Sequence, residues 1–124
     1  MLSPLVSPAP PPLPPLPWSP DQHHQLLALC ARYGVARLWV FGSAAKGTFD
    51  PATSDLDFLI EMQPTDDPNG YGGAYIAFWQ AVEAVFDRSV DLLTLKYIQN
   101  PYLWADIDPT RRLLYDHARS KTLV

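Results

Sequence analysis

Nine of the chain's 14 prolines fall within its first 20 residues. Proline fixes φ at about −65° and removes a backbone donor, so Met1–Pro20 reads as extended and polyproline-like. Folding is left to residues 21–124, enough for one compact domain and not for two. The expected division is a disordered Pro-rich leader over residues 1–18 and one folded domain over residues 19–124. The leader has no Lys or Arg and no apolar run long enough for a signal-peptide core. An unstructured extension is favoured over a ligand for an SH3-like partner.

Composition narrows the function classes. Apolar residues make up 48% and charged residues 18%, the range of a soluble globular domain. A formal net charge of −4 argues against a phosphate-backbone binder, so no direct nucleic-acid binding is expected. Cys30 is the single cysteine, which excludes an intramolecular disulfide and fits a reducing, cytoplasmic compartment. No segment approaches the ~20 apolar residues of a membrane span.

The folded part alternates helices and strands. Ser19-Pro20-Asp21 is a helix start, with a capping hydroxyl, a proline in the first turn and an acid at the positive end of the dipole. Leu26, Leu29, Cys30 and Tyr33 follow at helical spacing until Gly34. Leu38–Phe41, Leu56–Ile60 and Val90–Leu95 read as strands, and Leu113–Tyr115 as a fourth, edge strand. Between the second and third strands, Met62–Gly73 is a Pro- and Gly-bearing loop. Tyr75, Phe78, Trp79, Val82, Val85 and Phe86 then form one face of a helix, read as core rather than as a nucleotide box. Tyr102–Ile107 reads as a shorter helical segment.

The chemistry gathers at three acids and one turn. Asp55 and Asp57 are two apart, so on a strand they share a face, roughly 6–7 Å apart. Carboxylates that close repel one another unless a cation stands between them, and Mg²⁺ suits oxygen ligands shared with phosphates. Leu56, Phe58 and Ile60 point to the opposite face, toward the helices, which leaves the acids on an open face. A bare D-x-D is more often a pair of surface acids. Asp91 changes the weighing, because it lies within Val90–Leu93, where an unpaired acid is expensive. Three acids on two neighbouring strands can hold two metal ions. Gly42-Ser43 follows the first strand, where glycine admits close approach of an anion and Ser43 can start a short helix. Lys46 adds a nearby positive charge.

Gly42-Ser43-Ala44-Ala45-Lys46-Gly47 followed by Ser54-Asp55-Leu56-Asp57 resembles the signature of the DNA polymerase β-like nucleotidyltransferase superfamily. Within it, the chain is most similar to the minimal nucleotidyltransferases, the MntA-type antitoxins encoded beside HEPN-domain toxins. The resemblance implies an α+β fold, a mixed sheet of about four strands with helices on one face. It also implies two Mg²⁺ ions, ATP as substrate, and AMP transfer to a tyrosine of the HEPN toxin partner. By matching position, Gly42 and Ser43, with Lys46, would hold the triphosphate. Asp55 and Asp57 would ligate both metals. Asp91 would complete the metal site and help take the acceptor's proton. Two departures stand out: eleven residues, Ala44–Ser54, separate the serine from the first aspartate, one more than usual, and Lys46 replaces the usual arginine. A binding-only antitoxin without chemistry and a transferase acting on a small molecule are the alternatives. The acids speak against the first and the small size against the second.

Other residues carry less. His23, His24 and His117 read as surface residues, and Tyr71 as a loop residue able to stack on a base. Arg111, Arg112, Arg119 and Lys121 read as a solvated tail, with an acidic partner or RNA as the sharper alternative.

Overall fold

The computed structural model describes residues 13–68, 70 and 72–122. Elements run α1 (Pro20–Arg32), β1 (Val35–Phe41), α2 (Gly42–Lys46), β2 (Leu56–Met62), α3 (Gly72–Phe86), β3 (Val90–Thr94), α4 (Pro101–Ile107), β4 (Arg112–Asp116) and α5 (His117–Thr122). A single 3₁₀ turn, Leu95–Tyr97, links β3 to α4. The sheet is mixed, in the order β3-β2-β1-β4. β1 is antiparallel to β2 and β4, whereas β2 and β3 run parallel through the crossover helix α3. The α+β fold is therefore the one expected, and strands and helices begin or end a few residues from their predicted limits. The terminal helix α5 carries no apolar periodicity and was not anticipated. Among the described residues, no helix is long and apolar enough to cross a membrane.

Local chemistry explains where α1 starts. Ser19 Oγ accepts the Gln22 N–H at 3.1 Å and the Gln22 side chain accepts the Ser19 N–H at 2.9 Å, a reciprocal capping box. The Gln22 amide also donates to the Val85 carbonyl and so ties α1 to α3. The two long helices cover one sheet face. Leu26, Cys30, Phe78, Val82 and Phe86 from the helices meet Leu38, Val40, Leu56, Phe58, Ile60, Val90 and Leu92 from the sheet. Each fully buried side chain of this kind, such as Phe58, contributes about 2–3 kcal/mol. Cys30 behaves as one of these apolar residues, with burial pushing its thiol up to about 12.

The same alternation sends Arg37, Trp39 and Phe41 of β1 and Asp57, Leu59 and Glu61 of β2 to the second face, in cross-strand pairs. This face is less open than expected. Ile107 of α4 packs on Trp39 and Leu59, and Trp104 and Leu93 join them. Arg111 lies between two indoles, 5.2 Å from Trp39 and 5.0 Å from Trp104, and pairs with Asp108 at 2.9 Å. It is thus a packing residue of the α4–β4 turn rather than part of a solvated tail. Arg112 likewise is engaged, donating to the Pro14 carbonyl at 2.7 Å. The side chain of Lys121 lies outside the described residues.

Side chains just before the expected domain start at Ser19 pack on the core. Trp18 packs its ring 5.0 Å from Phe86 and 6.0 Å from Phe58, and Leu16 joins the same cluster. The indole N–H donates to His23 Nδ1 at 3.1 Å, so His23 is half-buried rather than fully exposed. Prolines prevent this segment from forming a helix or strand, but they do not prevent one aromatic side chain from docking. The preceding residues 1–12 lie outside the described ones.

Candidate active site

The end of the second sheet face gathers the predicted acids. Asp57 is the second residue of β2, paired with Phe41 across β1 and with Asp91 across β3. In a parallel pair, partners in register project to the same face. Asp57 and Asp91 accordingly stand close enough to share a hydrogen bond when one of them is protonated. Asp55 stands one residue ahead of β2 rather than on it, exposed, and its charge acts on Asp57. Asp91 is exposed too, on the face opposite the buried Val90 and Leu92, so the expected burial penalty at that position does not arise.

Asp57 is the perturbed member. Burial first, then the Asp91 charge, the hydrogen bond to Asp91 and the Asp55 charge raise its carboxyl to about 6. A group shifted in this way by clustered like charges is a functional-site signal. The donors are all carboxylate oxygens, the type Mg²⁺ prefers, and a cation would relieve the repulsion that raises Asp57. Among the described residues, no three His, Cys, Asp or Glu side chains are gathered closely enough to hold a metal ion as they stand. The donor chemistry fits a hard divalent ion.

Gly42 explains why the turn approaches Asp57. Its φ is +69°, left-handed, and a Cβ there would overlap Asp57 Oδ2. Only glycine meets both conditions without strain. Ser43 follows in the first turn of α2, whose leading N–H groups have no intrahelical partners. The Gly42-Ser43 turn and the three acids are thus brought together as the sequence suggests. Lys46 is not brought to them. It is exposed at the opposite end of α2, beside a hollow of about 650 Å³ that Pro14, His23 and Arg112 also line. Tyr71 lies outside the described residues. The Tyr75–Phe86 face is core, and its polar tips are also used: Tyr75 Oη donates to the Leu92 carbonyl and Trp79 Nε1 to the Val90 carbonyl, each at 2.8 Å. Both bonds hold β3, which carries Asp91.

A Gly42→Ala variant is expected to fold, melt lower and lose on the order of a hundredfold in activity, since its methyl would displace the Asp57 carboxylate. Melting curves and initial rates check this, and a wild-type rate would refute the close approach.

Fold and site together define a small α+β domain that sets a carboxylate group beside a glycine-serine turn at a strand end. The model of the nucleotidyltransferase domain matches residues 24–114, and the chain belongs to that family. A candidate protein adenylyltransferase of Methanocaldococcus jannaschii is 31% identical over 77 residues, 62% of this chain and 74% of that protein. Among solved structures, a candidate minimal nucleotidyltransferase superposes with a TM-score of 0.60 at 26% identity, covering 74% of this chain and 88% of its own. The same fold occurs in a complex of a tri-AMPylated Shewanella oneidensis HEPN toxin with its MNT antitoxin. There the TM-score is 0.53 at 16% identity, over 83% of this chain and 76% of that one.

Proposed function

We propose that this nucleotidyltransferase moves AMP from ATP to a tyrosine hydroxyl of a HEPN-domain partner protein and thereby silences it. One observation carries the chemistry: Asp57 is flanked in register by Asp91, is repelled by Asp55, and is approached by Gly42 closely enough to exclude any side chain there. The kinship with a candidate protein adenylyltransferase and the fold shared with an antitoxin bound to an AMPylated HEPN toxin support a protein acceptor.

In this reading Gly42 and Ser43 hold the triphosphate through backbone N–H groups. Asp55, Asp57 and Asp91 would hold Mg²⁺, which when bound neutralises phosphate charge and polarises the reacting oxygens. Asp91, exposed at the sheet edge, takes the tyrosine proton. The tyrosine oxygen bonds to the α-phosphorus as the α–β bridging P–O bond breaks, and pyrophosphate leaves with that electron pair. No contact is assigned to Lys46.

Intact mass spectrometry of a HEPN-domain protein encoded beside this chain tests the proposal. With ATP and Mg²⁺ it should gain mass in whole AMP increments, and EDTA should prevent this. A partner that is bound and silenced yet unmodified would overturn transfer in favour of a binding-only antitoxin. Calorimetry should also show ATP binding far more weakly in EDTA than in Mg²⁺. Equal affinities would remove the metal from the scheme.

A further inference from the structure

The loop that delivers Asp55 is held from outside. Within it, Ala52 N–H bonds Asp50 Oδ1 at 2.9 Å, Asp50 N–H bonds Ser54 Oγ at 3.0 Å, and Ser54 N–H bonds the Asp50 carbonyl at 2.8 Å. These bonds close a tight turn but leave its carbonyls facing outward. Arg88 caps them: Nη1 donates to the Ser54 carbonyl at 3.0 Å and Nη2 to the Pro51 carbonyl at 3.3 Å. The guanidinium also lies 4.7 Å over the Phe49 ring, which packs on the core. Ser54 immediately precedes Asp55, whose side chain makes no hydrogen bond among the described residues. Arg88 itself is aimed by the end of α3. Asp87 adopts a positive φ of 49° and the Arg88 N–H returns to the Glu83 carbonyl at 3.4 Å, a Schellman-type stop. Three residues later the chain reaches Asp91. One side chain therefore joins the segment that ends in Asp55 to the segment that begins β3.

We infer that Arg88 is a positioning residue for the acid site, clamping the Ser54 carbonyl so that Asp55 stands beside Asp57 and Asp91. The inference rests on the metal-binding reading of those acids. A planar fork spanning two carbonyls and stacking on a ring is a task lysine cannot reproduce. Without the clamp the loop keeps its internal turn, but Asp55 is no longer fixed, so divalent-ion affinity falls while the core remains.

The test titrates Mn²⁺ alone into the full chain, following the free-ion electron paramagnetic resonance signal, and separately measures AMP transfer from ATP over a range of Mg²⁺ concentrations. Wild type, Arg88→Lys, Arg88→Ala and Asp57→Asn are compared, with melting curves for each. Arg88→Ala should bind Mn²⁺ at least tenfold more weakly and need correspondingly more Mg²⁺ for half-maximal rate. Arg88→Lys should recover little of this, although it keeps the charge. A purely structural role would lower melting temperature and active fraction without moving the metal dependence, and that result would overturn the inference. If Arg88→Ala is poorly folded, Arg88→Lys decides alone: wild-type metal affinity overturns the clamp, and weakened affinity upholds it. If wild type binds Mn²⁺ no better than Asp57→Asn does, the metal reading fails and takes the inference with it. If Asp57→Asn loses binding while both Arg88 variants keep it, only the inference fails.

Discussion

Asp57→Asn is expected to abolish AMP transfer, by on the order of a thousandfold or more, about 4 kcal/mol of transition-state stabilisation, while the metal-free protein melts higher than wild type. The two effects have one cause. Burial and the neighbouring Asp91 and Asp55 raise the Asp57 carboxyl to about 6 from an ordinary value of 3.8. At neutral pH it is nonetheless ionised, in a site that resists its charge. Asparagine keeps the shape and removes both the strain and the ligand charge. The sign with pH follows. The folded state holds this proton more tightly than the unfolded one, so wild-type stability in EDTA should fall as pH rises from about 4 to about 6 and then level off. The variant should lack that slope. Mg²⁺ should raise the melting temperature of wild type and leave that of the variant unmoved. Near-normal transfer by the variant, or identical melting of the two proteins in EDTA at pH 7, would count against the site.

The legible part of this protein is the part governed by short-range rules. Period-two alternation alone placed Asp57 on the face opposite Leu56, Phe58 and Ile60, and the structure agrees. Ser19-Pro20 and Gly34 bracket α1 because capping and left-handed stops are local chemistry. What escaped depends on pairs remote in sequence. Arg111 resembles a tail residue until α4 brings Trp104 beside Trp39. Arg88 resembles any turn arginine, since the carbonyls that it clamps lie 34 and 37 residues earlier. Asp91 has the neighbour the sequence suggests but another environment, because the sheet face it takes, opposite the buried Val90 and Leu92, is left open there.

Trp18 is the sharpest case of a remote partner, and its substitution should lower stability although no local pattern marks it as core. The extended segment before α1 offers no periodicity, which favours treating it as removable. Its last residues nonetheless place an indole against Phe58 and Phe86 and pass the Pro14 carbonyl to Arg112. Gly47 leaves room for that path, since a Cβ there would stand 2.7 Å from the Pro14 ring. Truncating a half-buried indole with two aromatic neighbours costs about 2 kcal/mol. In a domain of this size that corresponds to roughly 10 °C of melting temperature. Trp18→Ala, or removal of residues 1–18, should therefore melt about that much lower than wild type. Trp18→Phe should lose less, because it gives up the hydrogen bond to His23 but keeps a ring. A pH signature separates docking from a general loss of order. Burial, and then His24, lower the His23 pKa from 6.5, so the folded state resists its protonation. Wild-type stability should thus gain a component that fades as pH falls below about 6.5. Stripping Trp18 exposes His23 and should flatten that component. Melting curves of the three proteins between pH 5 and pH 8 measure both effects, and a Trp18→Ala protein as stable as wild type would show that the indole rests on the core without holding it.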